Sequence, residues 1–516
     1  MRAMTGRILV TLACGVAAAL YAAAASPART FDGIDARAEY SVGYATPQAL
    51  RAAVGHDVSW RIRALRIARL RLTGQDARRV AKQPGIRFVQ RVRRRVDQTE
   101  PALQAVLGKS AAWEWQFAAA HEDTVPEAVF RAASAVTIAV IDTGADLNAP
   151  DIAAKNPIAY GQRNQNGDVR DNVGHGTFVA ALAAGSITNG EGIAGFGGDA
   201  KLMIVKAGSG DGALTDSDEA AAIVYAVDHG ARIINLSFGG TISTATEKNA
   251  IDYAAAHGVL IVAAVGNDYL EGNPTFYPAA TLQPVGSKGG GGVGLAVAAS
   301  TDSGTHAPFS NTGTYVSLAA PGEGVFSAVS ATARASDYPR VPLPGSTHGL
   351  YGYGSGTSFA APQVAGAAAL VMAANPLLGA TDVARVLKES ADAHGTWTPE
   401  LGFGVIDVAA AVALATGTEA EASRAGLRLT ARAAKQRVTL TATLSSLLAA
   451  VSSAGRPIAF ERQVHGKWKR VMTVRTDAAG RAEAKHVKWM TAVKLRARWA
   501  GSPELAAAAS KTLTLR

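Results

Sequence analysis

The run Gly354-Ser355-Gly356-Thr357-Ser358-Phe359-Ala360-Ala361-Pro362 delivers one serine to the start of a stretch, 359–374, made almost wholly of Ala, Val, Leu and Met. Ser358 is thereby presented as a nucleophile would be. A helix N-terminus carries positive partial charge and free N–H groups that stabilise an oxyanion, and glycines before it permit a tight turn and close approach of a substrate backbone. Pro362 reads as a residue of the first helical turn, where its missing N–H is tolerated. A hydroxyl alone is a weak nucleophile, so this chemistry demands a general base and a group to orient the base. His175, set between Gly174 and Gly176-Thr177 ahead of the apolar stretch 178–184, supplies an imidazole at a second helix start. Asp142 closes the apolar run 136–141 and opens Asp142-Thr143-Gly144, which supplies the carboxylate. Asn267, in Gly266-Asn267-Asp268 after the apolar run 259–265, offers an amide N–H to a developing oxyanion. Such a donor is worth about 3 kcal/mol of barrier.

These side chains need a scaffold that brings distant segments together. Strand-like and helix-like stretches alternate at 202–205, 219–227, 233–238, 247–257 and 259–265, which predicts a parallel sheet between helices. Open sheets of this kind build their sites at the C-terminal ends of the strands, where Asp142 and Asn267 fall. Each residue taken singly has an ordinary alternative: Asp142 and Asn267 as turn residues, His175 as a helix-start residue bonded to backbone, Ser358 as an N-cap. Four such accidents in one order at element ends are a poor explanation, so the catalytic reading is preferred.

Asp142-Thr143-Gly144, His175-Gly176-Thr177, Gly266-Asn267 and Gly356-Thr357-Ser358-Phe359-Ala360-Ala361-Pro362 resemble, in that order, the signature blocks of the subtilisin-like serine peptidases. The likeness runs from about residue 113 to 415. It implies a triad of Ser358, His175 and Asp142, with Asn267 in the oxyanion hole. It also implies substrate contacts at Ser237, Phe238 and Gly239, facing Ala263 and Gly266, and an edge that pairs with substrate backbone at 209–214, including Ser209, Gly210 and Gly212. Phe178 stands where many members carry a second histidine. Phe276, before Tyr277-Pro278, falls at the pocket floor and implies a shallow pocket that takes small or medium residues before the cut. The loop 188–195 is similar to the family's calcium loop, which implies structural Ca²⁺ held by Asp151 and Asn189 side chains and by Glu191 and Ile193 carbonyls. No cofactor is implied for catalysis.

Other readings fit less of the chain. Asp142 and Asp302 as the paired loops of an aspartic peptidase would require a mostly β fold and leave His175 and Ser358 unexplained. A sedolisin-type site is excluded by His175 and Asn267. Gly289-Gly290-Gly291-Gly292-Val293-Gly294 satisfies a dinucleotide-binding pattern in form only, because a strand rather than a helix follows it. A catalytically inert secreted adhesin, acting through the C-terminal region, is the alternative outside the hydrolases.

The chain has 516 residues and a formal net charge of +10, and the charge is sorted by region. Residues 27–100 hold 16 basic and 7 acidic residues, 101–418 hold 14 and 28, and 419–516 hold 19 and 6. Residues 1–26, with Arg2, Arg7 and an apolar core, read as a secretory signal, and the single cysteine, Cys14, lies inside it. An extracellular protein without disulfides is expected. The stretch 27–100, read as strand, helix, strand, helix, strand, resembles the family's inhibitory propeptide, a partner that would template folding and then block the cleft until cut between Arg93 and about Trp113. Residues 101–415 are the catalytic domain, 416–425 a linker, and 426–516 a small β-sandwich of the immunoglobulin-like kind with period-two strands. The expected fold is thus α/β, a subtilisin-like parallel sheet flanked by helices, with a small α+β propeptide domain and a C-terminal β-sandwich-like domain. Polypeptides are the expected substrates, the basic C-terminal domain suggests an anionic cell-surface polymer as partner, and no nucleic-acid partner is expected.

Overall fold

The computed structural model describes residues 37–55, 58, 60–97, 114–209, 212–334, 337–341, 350–392, 396–417 and, from 426 onward, mainly strands. The signal segment, Gly210, most of the linker and the expected cleavage region after Asp97 lie outside the described residues.

Seven parallel strands form the central sheet, in the order Leu318–Pro321, Gly294–Ser300, Leu260–Ala264, Ile233–Leu236, Thr137–Asp142, Lys201–Lys206 and Ile158–Gly161. Their runs are continuously apolar because both faces are covered. Ile138 and Val140 point to the layer holding helices His175–Ala184 and Thr357–Ala374, while Ala139 and Ile141 point to the layer of helices Asp216–Asp228 and Ala245–Ala256. The helix Thr357–Ala374 is long and apolar enough to cross a membrane, but it is the central core helix, packed against the sheet on one side and helix His175–Ala184 on another.

Pro362 departs from expectation. It is the sixth residue of its helix, not a first-turn residue. The position is tolerated because the carbonyl that its absent N–H leaves free, Ser358 O, accepts from Ser237 Oγ at 2.8 Å. Gly289–Gly292 is indeed a loop that feeds a strand, Gly294–Ser300.

Ahead of this domain, strands Arg61–Ile62, Ile67–Leu72, Ala38–Tyr44 and Ile86–Arg91 pair antiparallel in that order, with helices Pro47–Val54 and Gly74–Ala81. Thr46 and Thr73 cap the two helices through their side chains. Val42, Leu50, Ala68 and Val80 make a core of their own, while Ile62, Leu65 and Ile67 join the core that contains Ala220 and Val224. Charge complementarity reinforces this contact: Arg69 bonds Asp218 at 2.7 Å, and the Arg93 N–H bonds Asp216 Oδ1 at 3.2 Å. The C-terminal region carries two antiparallel sheets, Gly426–Ala434, Arg437–Ser445 and Arg481–Lys488 in one, Lys467–Arg475, Pro457–Val464, Val493–Trp499, Ala508–Ala509 and Leu513–Leu515 in the other. Leu440, Ala442, Ile458, Phe460, Leu495 and Ala497 are buried at alternating positions, as two packed sheets require.

Candidate active site

Strand Thr137–Asp142 ends on its carboxylate, and helix His175–Ala184 begins on its imidazole, behind Gly174 at φ +100°. His175 Nδ1 lies 2.8 Å from Asp142 Oδ1, which also accepts from the Thr143 N–H at 2.8 Å. Asp142 and Ser358 are fully buried and His175 is 1 % exposed. The His175 ring stands 5.8 Å from the ring of Phe359, the residue after Ser358, so the third element converges on the same place. Ser358, second residue of its helix, donates from Oγ to Ser237 O at 3.2 Å. Phe178 packs at 4.3 Å, centroid to centroid, on Phe359.

Asn267 follows strand Leu260–Ala264. Its Oδ1 accepts from the Thr357 N–H and from Thr357 Oγ1, both at 2.9 Å. A backbone N–H can be accepted only by the amide oxygen, so these bonds fix the amide and leave Nδ2 as the free end. Nδ2 is buried and has no hydrogen-bond partner among the described residues. It is therefore poised to donate to an oxyanion formed beside Ser358.

Asp171 escaped the sequence reading. Its Oδ1 accepts from Thr143 Oγ1 (2.9 Å) and the Val173 and Gly174 N–H groups, and its Oδ2 from the Thr177 N–H (2.8 Å) and Oγ1 (2.6 Å). One carboxylate thus locks the Asp142 turn onto the start of the His175 helix. Asp171-Asn172-Val173-Gly174 before His175 offered an N-terminal signal that could have revealed it. Asp302, by contrast, is exposed on the turn after strand Gly294–Ser300, and Asp142 pairs with an imidazole; the paired-carboxylate reading is overturned.

The strand Arg94–Asp97 lies between two short strands of the catalytic domain. Arg94 and Arg95 are antiparallel partners of Thr215 and Leu214, and Val96 and Asp97 of Gly239 and Phe238. Ser209 and Gly212 form the turn that precedes this edge, so the paired residues are Leu214 and Thr215 rather than the turn itself. Ala263 is buried in strand Leu260–Ala264. Phe276 fills the space between Gly239 and Gly266: a Cβ on Gly239 would meet its ring at 2.4 Å, and one on Gly266 at 3.2 Å.

At the loop expected to hold calcium, Asp151 accepts from Asn189 Nδ2 (3.1 Å), the Ile193 N–H (3.0 Å) and Tyr351 OH (2.9 Å). Glu114, which the sequence reading also missed, accepts from the adjacent Ala194 N–H at 3.1 Å. Burial pushes Asp151 up to about 6, and burial followed by the charge of Asp151 pushes Glu114 up to about 8. A Cβ at Gly192 would lie 2.2 Å from Asp151 Oδ1, so the backbone closes tightly on this carboxylate. Among the described residues no group of three or more His, Cys, Asp or Glu side chains forms a metal cluster. A fully buried and a half-buried carboxylate against a glycine-bent loop nevertheless fit a hard divalent cation that completes its shell with amide and backbone oxygens.

A family model described as the subtilase family, peptidase family S8, matches residues 133–405. Thermitase of Thermoactinomyces vulgaris is 32% identical over 261 residues, covering 50% of this chain and 82% of thermitase. A thermophilic serine proteinase of Bacillus sp. (strain AK1) is 38% identical over 243 residues, covering 47% of this chain and 53%, about half, of that protein. Among solved structures, fervidolysin from Fervidobacterium pennivorans, described as a keratinolytic enzyme related to subtilisin, matches with a TM-score of 0.61 at 22% identity, over 90% of this chain and 70% of its own, a likeness of fold. With the family model spanning more than half of its length, the chain belongs to the subtilase family.

Proposed function

We propose that this chain is the precursor of a secreted serine endopeptidase. The observation that carries the reading is the Asp142–His175 hydrogen bond of 2.8 Å, with the His175 ring 5.8 Å from the ring of Phe359, the residue after Ser358. Ser358 Oγ, turned from the Ser237 carbonyl, attacks the scissile carbonyl; His175 Nε2 takes its proton and returns it to the leaving amine. Asp142 holds the imidazole with Nδ1 protonated and stabilises the imidazolium. Asn267 Nδ2 and the Ser358 N–H, one of the helix's orphan donors, receive the oxyanion. Hydrolysis of an unfolded polypeptide by the matured protein, blocked by a serine-directed fluorophosphonate and indifferent to pepstatin, tests the reading. Sensitivity to pepstatin alone, or no hydrolysis, would refute it.

Residues 27–100 act as the inhibitory pro-segment, a reading supported by the strand Arg94–Asp97 lying where an extended substrate would pair. The apolar leader with Arg2 and Arg7 supports export. Charge alone, 19 basic against 6 acidic residues beyond 418, speaks for an anionic cell-surface polymer as partner of the C-terminal domain, and the relatives add nothing to it.

The buried ring of Phe276 supports a shallow pocket for the residue before the cut. Phe276→Ala is expected to raise kcat/KM for peptides with Phe or Tyr there by about tenfold or more relative to Ala, since filling such space is worth 1–3 kcal/mol. A peptide series varied only at that position measures it; an unchanged ratio contradicts the shallow-pocket reading.

Structural calcium would be held by Asp151, Glu114 and Asn189 with backbone oxygens of residues 191 and 193, where it would neutralise the two carboxylates and pin the loop to the start of the catalytic domain. It takes no part in the chemistry. At saturating Ca²⁺ the expected gain is about 3–4 kcal/mol, so EDTA should lower Tm by roughly 5–10 °C, and Asp151→Asn should remove the difference. Equal melting with Ca²⁺ and with EDTA would exclude the site.

A further inference from the structure

Arg95 heads the large side chains that are fully buried, an unusual fate for a guanidinium. Its Nε donates to Glu219 Oε2 at 3.1 Å, its Nη1 to Ile242 O at 2.9 Å, and its Nη2 to Glu247 Oε2. Glu219 belongs to helix Asp216–Asp228 and Glu247 to helix Ala245–Ala256, and both are fully buried. Thr281 Oγ1 donates to the second oxygen of Glu247, while Glu219 Oε1 has no partner among the described residues. Burial raises both carboxyls above their ordinary range, Glu219 to about 8, and Arg95 opposes this. Burial also works against the charge on Arg95, and the two glutamates more than reverse it. Two carboxylates enclosed in this way are costly once their cation leaves.

The strand that carries Arg95 runs in a defined register along the cleft. Val96 faces Gly239 and Asp97 faces Phe238, antiparallel, so the strand advances toward Ser237 as its numbering rises. Ser237 touches Ser358 through two hydrogen bonds, Ser237 Oγ to Ser358 O and Ser358 Oγ to Ser237 O. Carried one residue further, this register would set opposite Ser237 a substrate residue three positions beyond the one in the place of Arg95. When the pro-segment departs, the acidic pocket remains at a fixed distance from the nucleophile.

We propose that Glu219 and Glu247 form a substrate subsite that selects an arginine three residues before the residue whose carbonyl Ser358 attacks. The inference rests on the peptidase reading given above. Three acceptors meet three different nitrogens of one planar fork, a match that a lysine ammonium, with a single nitrogen, does not reproduce. The preferred substrates are therefore extended polypeptides with arginine at that position, and the pro-segment occupies the cleft by presenting the same side chain.

The test uses the enzyme matured by its own processing and four fluorogenic peptides that differ only at this position, carrying arginine, citrulline, lysine or alanine. Citrulline keeps the shape and removes the charge. Arginine should exceed citrulline in kcat/KM by about 100-fold, as expected for loss of one member of a buried charge pair, with lysine and alanine also far below arginine. In Glu219→Gln and Glu247→Gln the arginine-to-citrulline ratio, read within one preparation, should shrink toward one. Equal rates for arginine and citrulline in the unaltered enzyme overturn the subsite, whatever the fate of the variants, and leave the pocket as a clamp for the pro-segment alone. If the enzyme takes a fluorophosphonate label and cleaves all four peptides alike, only the subsite fails; if it neither labels nor cleaves, the peptidase reading fails with it.

Discussion

Replacing Ser358 by alanine is expected to lower peptide turnover by a factor on the order of 10⁶, a magnitude known from another member of this family, and to leave the pro-segment attached. The size of the effect follows from what the hydroxyl does: without it His175 has no proton to take and no covalent intermediate forms. Residual hydrolysis of about 10³–10⁴ over water would remain, from the Asn267 donor and the binding strands. The pro-segment consequence follows from the placement of Arg94–Asp97, which leads the chain toward Ser358 between Leu214–Thr215 and Phe238–Gly239. Purified full-length Ser358→Ala should run at the precursor mass, while the unaltered chain should yield a mature form whose N-terminus lies between residue 98 and about residue 113. A Ser358→Ala chain that matures in isolation would show that another protease, or another residue, makes the cut.

The second large effect concerns Asp142. Its Oδ1 accepts a hydrogen bond from His175 Nδ1 at 2.8 Å, and both side chains are buried. An asparagine of the same shape would offer an N–H to Nδ1, turn the imidazole to the wrong tautomer and leave Nε2 protonated, unable to accept from Ser358. Asp142→Asn should therefore reduce kcat by about 10⁴ with KM little changed. Steady-state kinetics with one peptide substrate decides it. A fall confined to KM would mean that Asp142 shapes the binding cleft and does not govern the base.

Much of this was legible in the chain because the catalytic groups sit at element boundaries that leave local marks. Apolar runs fixed the strands that end at Asp142 and precede Asn267, and glycines flagged the starts of the His175 and Ser358 helices. The strand Ala38–Tyr44 was legible for the same reason, closed by a Thr46-Pro47 helix start. Pro362 misled because its tolerance depends on Ser237, more than a hundred residues away, capturing the carbonyl that the proline abandons. Asp171 left a local mark, since four of its five hydrogen bonds go to Val173, Gly174 and Thr177, but the fifth, from Thr143, joins it to the Asp142 turn only after folding. Nothing in the helix-like stretches 219–227 and 247–257 marks Glu219 and Glu247 as buried; that depends on Arg95, more than a hundred residues away in the chain.

The central claim is that Ser358, and no other hydroxyl, is the activated nucleophile. Treating the matured protein with a fluorophosphonate and mapping the adduct by peptide mass spectrometry tests it most directly. The predicted result is one adduct per chain, on the peptide containing Ser358, absent from Ser358→Ala and strongly slowed in Asp142→Asn. An adduct on another residue, or a fully folded, mature protein that takes no label, would contradict it.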